Sequence, residues 1–219
     1  MAAPTSAFSR EVLRDAFAGL GARTADAHFD NLFDELLRAY SSPDRHYHGA
    51  RHVDECLRAL RDVRDCAQHP DEVAVALFFH DAIYDTHRDD NEARSADWAR
   101  GALLAGGVAA AVAERVHALI LATRHAAPTE GGDAQITVDI DLGILGQAPD
   151  AFARYDAEIR REYHWVEWRH YVAGRTAVFE RFLGRERIYA TRPFFERFEA
   201  QARYNIASAI GALARTPPP

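Results

Sequence analysis

Two cysteines are too few, and too badly spaced, to staple this chain. Cys56 and Cys66 stand ten residues apart in one predicted helix, about 15 Å along its axis. A disulfide cannot span that distance without unwinding the helix. Free, buried thiols in a reducing compartment are therefore expected, and with them a cytoplasmic location. No stretch of the sequence approaches the roughly 18 clean apolar residues of a membrane span. The opening Met1-Ala-Ala-Pro-Thr-Ser lacks a basic region followed by an apolar run, so no secretory signal is expected. Basic charge is also short, with 26 Lys and Arg against 33 Asp and Glu, for a net charge of −7. That excludes a general surface for polymeric nucleic acid, which needs clustered cations. A small anionic partner stays open, because a bound metal supplies positive charge locally.

What is present is helical periodicity. With 219 residues, 48% of them hydrophobic, one all-α domain over residues 1–215 is the simplest organisation, with a frayed tail at 216–219. Phe8, Val12, Leu13, Ala16, Phe17 and Leu20 form one apolar stripe, stopped by Gly19 and Gly21. Phe29, Leu32, Phe33, Leu36, Leu37 and Tyr40 form a second after a Thr24 cap. A third helix is predicted from about Tyr47 to Cys66. Pro70, Asp71 and Glu72 suit the first turn of a fourth. Val73 to Tyr84 is apolar nearly all round, the mark of a central buried helix. Asp90 or Asn91 can cap a helix carrying Glu92, Ser95 and Trp98. The next helix, to His125, places His117, Leu121 and His125 on one face, and a turn-rich loop follows from Pro128 to Gly132. Ile136 to Leu145 has strand propensity, but an otherwise helical chain favours a short buried helix there. Helices opened by Pro149, covering Val166 to Phe182, and opened by Pro193 complete the chain.

Chemistry concentrates in three places. His48 and His52 stand four apart, so on a helix they share a face. His80-Asp81 ends the apolar run, and burying such a pair without partners is costly. Asp139-Ile140-Asp141-Leu142 brings carboxylates into another apolar stretch. Two imidazoles and two carboxylates from His52, His80, Asp81 and Asp141 make a nitrogen/oxygen set suited to a divalent ion (Mn, Mg, Fe, Co, Ni or Zn) that activates water. The absence of cysteine from this set argues against a closed structural zinc site.

A His on a helix, then an adjacent His-Asp, then a distant Asp resembles the HD superfamily of metal-dependent phosphohydrolases. The context agrees: Tyr47-His48 before His52, Leu77-Phe78-Phe79-His80-Asp81, and Asp139-Ile140-Asp141-Leu142. More narrowly, the chain is similar to a small bacterial group of predicted HD-superfamily phosphohydrolases. Ala82-Ile83-Tyr84-Asp85, Asp90-Asn91-Glu92, Ala122-Thr123-Arg124-His125 and Gly174-Arg175 carry that likeness, with Arg187-Ile188-Tyr189 and Ala202-Arg203-Tyr204-Asn205. The resemblance implies a helical bundle with a buried metal on His52, His80, Asp81 and Asp141. It implies hydrolysis of a phosphate ester of a small metabolite or nucleotide, with His48 as general acid. Asp85 and Glu92 are further candidate proton carriers, His125 a candidate ligand for a second metal, and Arg124 and Arg175 candidate phosphate contacts.

Blander roles stand beside these. His48, Asp85 and Glu92 also suit helix ends, Arg124 and Arg175 also suit structural ion pairs, and Asp139 suits a surface or supporting carboxylate. Two other functions stay open, a di-iron oxygenase on the same fold and a non-catalytic metal- or ligand-binding sensor. A homodimer is compatible with the sequence, which does not fix the oligomeric state.

Overall fold

The computed structural model describes residues 6–23, 26–126 and 129–215 (side chains of 26–28 excepted), and no strand occurs among them. In order, the helices are α1 (Arg10–Gly19), α2 (Asp26–Tyr40), α3 (Ala50–Val63), α4 (Pro70–Phe79), α5 (Asn91–Ala105), α6 (Ala110–Ala122), α7 (Gly132–Asp141), α8 (Pro149–Glu162), α9 (Trp168–Leu183) and α10 (Arg192–Arg215). Short 3-10 turns cover Arg64–Cys66 and Leu142–Gly146. The chain is thus all-α, and the ambiguous 136–145 stretch is helical. Thr24, Pro128 and the tail at 216–219 lie outside the described residues. The chain divides into two compact units, Met1–Asp141 and Leu142–Pro219.

The first unit is built on α4. Pro70 opens it, and every residue from Glu72 to Phe79 is buried. Helices α1, α3, α5, α6 and α7 all pack against it. A helix without a polar face can only sit at such a centre. Its one buried charge, Glu72, is met by Arg115 of α6, whose Nη2 donates to Oε1 at 2.5 Å and whose Nε donates to Oε2 at 2.9 Å. The Arg115 side chain is 47% exposed, so solvent screens the pair from its side and only Glu72 is shielded.

The N-terminal residues are tied down by a single carboxylate. Asp54 Oδ1 accepts from Ser6 Oγ at 2.8 Å, Ala7 N at 2.5 Å and Phe8 N at 3.1 Å, and Oδ2 accepts from Arg58 Nε at 2.6 Å. Phe8 then packs among Phe33, Tyr40 and Phe78, tilted against the two phenyl rings and edge-on to the tyrosine. Burial pushes the Asp54 carboxyl up, but Arg58 and the three donors overcome it and hold the pKa at about 2. A carboxyl depressed below its unfolded value stabilises the fold above that value and stops doing so as pH falls toward the folded one. Between pH 5 and 2 the chain is expected to lose about 1 kcal/mol through this group, after allowing for solvent screening. Urea midpoints measured against pH should show that slope, flattened in Asp54→Asn.

Several helix ends differ from expectation. Helix α3 starts at Ala50, because Gly49 is extended (φ −116°, ψ −174°) and breaks the turn before it. His48 is therefore off the helix rather than one turn below His52. Cys66 falls in the 3-10 turn and is exposed, so only Cys56 is a buried thiol. Helix α4 stops at Phe79, where Ser95 of α5 captures the Ile83 backbone, Oγ accepting from its N–H at 2.9 Å. His125 lies beyond α6 with φ 52°, not on its face. Leu37 is 41% exposed, which removes it from the α2 core stripe.

In the second unit α10 packs on α9 and on the Leu142–Gly146 turn. Asn205 Nδ2 donates to Leu145 O and Gln147 O, both at 2.8 Å, closing that turn onto the helix. Gly146 is needed there, since a Cβ at that position would overlap the Phe198 side chain and lie 2.8 Å from its carbonyl oxygen. Arg175 on α9 is buried, with Nε donating to Asp156 Oδ1 at 2.9 Å and its guanidinium over Tyr155 and Phe179. That is the ion-pair role weighed for it above.

Candidate metal centre

The end of α4, the start of α3 and the end of α7 meet at one point in the first unit. His52, two residues into α3, faces inward and is 2% exposed. His80 caps the C-terminus of α4 and is 1% exposed. Their Nε2 atoms lie 3.1 Å apart. Asp141, the last residue of α7, places Oδ1 at 3.1 Å from His52 Nε2 and 3.4 Å from His80 Nε2. Asp81 Oδ2 lies 3.1 Å from His80 Nε2 and 3.7 Å from His52 Nε2. The carboxylate side chains remain 14–15% exposed, so the cluster opens on that side.

These spacings suit a shared cation. Ligand atoms about 2.1 Å from an ion are separated by about 3.0–3.4 Å along the edges of an octahedron or tetrahedron. The His80 ring is set for ligation, because its Nδ1 lies 2.9 Å from Leu77 O. A proton on Nδ1, donated to that carbonyl, leaves the Nε2 lone pair facing the cluster. Electrostatics ask for positive charge there. Burial alone would push the His80 pKa down, yet Asp81 and Asp141 hold it well above its usual value. Burial likewise opposes ionisation of Asp141, while His125, His52 and His80 keep its carboxyl well below the usual range. Two ionised acids at a nearly closed point favour either a protonated imidazole or a metal ion beside them.

No family model, curated protein or solved structure matches this chain.

Cys56 is the neighbour that the expected ligand set left out, although it stands one turn after His52 on α3. Atoms of His52, Cys56, His80 and Asp141 lie within 4.8 Å of one another, a group able to hold a metal ion. The sulfur, however, is 3.7 Å from both Nδ1 and Nε2 of His52. A point equidistant from both ring nitrogens at that range lies over the ring face, off the in-plane direction of the Nε2 lone pair. Burial, reinforced by Asp141 and Asp81, also raises the thiol pKa well above its usual value. Asp81 is therefore the better placed fourth donor.

His125 reaches the other oxygen of Asp141, with Nε2 2.9 Å from Oδ2. Its left-handed backbone is what turns the ring back after α6 ends. His48 stacks on Tyr84, with centroids 4.3 Å apart, and its ring centre is 6.0 Å from that of His52. It borders the cluster, close enough to act electrostatically on Asp81. Asp139 is fully buried, not at the surface. Glu92 is half-buried in the first turn of α5, and Arg124 is exposed beside His125. Asp85 is exposed and belongs to the loop before α5. Its Oδ1 accepts from His87 N at 2.9 Å, its N–H donates to Asn91 Oδ1 and its carbonyl accepts from Asn91 Nδ2. As α4 ends at Phe79, the chain has left the helix by Asp85, and its carboxylate is exposed in that loop. His117 is 3.4 Å from Asp97 of α5, a surface pairing.

Proposed function

We propose that this chain is a metal-dependent phosphohydrolase acting on a phosphate ester of a small metabolite or nucleotide. The observation that supports it is the convergence of His52, His80, Asp81 and Asp141, three separate segments meeting at 3.1–3.7 Å. Their order along the chain is the one that resembles the HD superfamily. A divalent ion held by these four would neutralise charge on a phosphoryl oxygen and lower the pKa of water. The residues around it take the remaining tasks. Asp81 and Asp141 orient from the open side of the cluster. His48, stacked on Tyr84, holds the proton for the departing oxygen. With the Asp85 carboxylate engaged by His87, Glu92 is the second choice for that task. Arg124, exposed beside His125, is placed to receive phosphate oxygens. The His125–Asp141 contact favours a second metal position on the outer oxygen of Asp141, as a variant of the same reading.

The test is elemental analysis of protein purified without added metal, followed by a phosphoester and nucleotide screen with Mn, Mg, Co, Ni and Fe. Near-stoichiometric metal and metal-dependent hydrolysis are expected. Two irons per chain with oxygen-dependent turnover would move the assignment to an oxygenase. Bound metal with no turnover on any ester would move it to a sensor.

A further inference from the structure

We propose that Arg45 is a positioning residue that locks together the two segments delivering His48, His52, His80 and Asp81, before any metal arrives. Its guanidinium reaches three carbonyl oxygens. Nη1 donates to His48 O at 3.0 Å and to Asp81 O at 2.5 Å, and Nη2 donates to Ala82 O at 2.9 Å. One fork thus holds consecutive carbonyls just past the end of α4 and a third carbonyl one residue before the cap of α3. The planar group also lies over Tyr40 at 5.1 Å and Tyr84 at 5.4 Å, and Tyr84 is the ring on which His48 stacks.

The geometry explains why arginine stands there. The three acceptors are spread over two segments 33 or more positions apart in sequence, and both Nη atoms of one rigid plane reach them at once. A lysine presents its donors from a single point and cannot span them. Regular structure does not do this work, because residues 80–84 follow the end of α4 and residues 45–49 precede α3. Ser95 holds the second stretch at Ile83, and local turns close Ala82 N–H onto Phe79 O and Gly49 N–H onto Tyr47 O; the fork ties one stretch directly to the other. Tyr40 fixes the underside, its hydroxyl donating to Phe78 O at 3.0 Å.

This inference rests on the metal reading, and its test separates the two. Metal-stripped wild type, Arg45→Lys and Arg45→Met are titrated with Mn(II) by calorimetry. Amide exchange is followed over 45–52 and 80–85, well below each melting temperature. Both variants are expected to bind Mn(II) about 10- to 100-fold more weakly, the usual cost of losing a group that orients ligands. Exchange should rise at least about tenfold in those two segments and stay unchanged in α5 and α6, the signature of a local opening. A folded Arg45→Lys with wild-type affinity and wild-type exchange overturns the proposal. So does a lysine variant that unfolds altogether, since Arg45 would then be a general structural residue. If Arg45→Met alone fails to fold, the lysine variant decides. If wild type takes up no Mn(II), the metal reading is what has failed, and exchange in the two segments alone decides for or against the lock.

Discussion

His80→Ala is expected to empty the metal site and reduce phosphoester hydrolysis to the uncatalysed background. The imidazole is central to the cluster: His52, Asp81 and Asp141 all lie within 3.1–3.4 Å of its Nε2. Its Nδ1 contact to Leu77 O fixes the ring before binding. Alanine leaves one imidazole and two carboxylates around a gap at the end of the most buried helix. The loss of affinity should exceed the roughly 10–100-fold that follows from disturbing an outer partner. A cavity penalty of about 2–4 kcal/mol accompanies it, so metal content must be read on protein shown to be folded by circular dichroism. A folded His80→Ala that retains the wild-type metal content would falsify the site.

His48→Ala is expected to give the opposite separation, with metal content unchanged and turnover slowed about 10²–10⁴-fold, the range for a lost general acid. The ring borders the ligands, its centre 6.0 Å from that of His52, and α3 begins two residues later. Proton donation matters most when the departing oxygen is a poor leaving group. The fall in kcat should therefore be steeper for an alkyl phosphate than for a nitrophenyl phosphate. Equal losses on both esters, or loss of the metal itself, would remove His48 from this role.

Much of the first unit was legible because its central element has an unusual pattern. A run apolar on every side, opened by Pro70 and closed by His80-Asp81, has one reading, a buried helix that delivers polar groups to an interior point. The convergence on His52 and Asp141 then followed from residue order. What escaped was where helices stop. Gly49 read as one more residue of α3, yet its extended backbone displaces His48 from the helix. The course of the chain after α4 is held at Ile83 by Ser95, twelve residues on, and such a distant partner leaves no local trace. Of the two roles that suit Asp139 in the sequence, surface or supporting carboxylate, the packing of α7 against α3, α4 and α6 removes the first by enclosing it. Arg45 stood in the motif without a task, because backbone carbonyls carry no sequence signature.

The enclosure of α4 on all sides also restricts how this molecule can diversify. Residues 72–79 have no outward surface on which change is neutral, and only swaps that conserve volume would pass. Variation in what the site accepts is thus channelled into the irregular positions beside the proposed ligands that hold neither ion, proton nor lock, such as His46 and Ile83, where new side chains alter the rim without reshaping the interior.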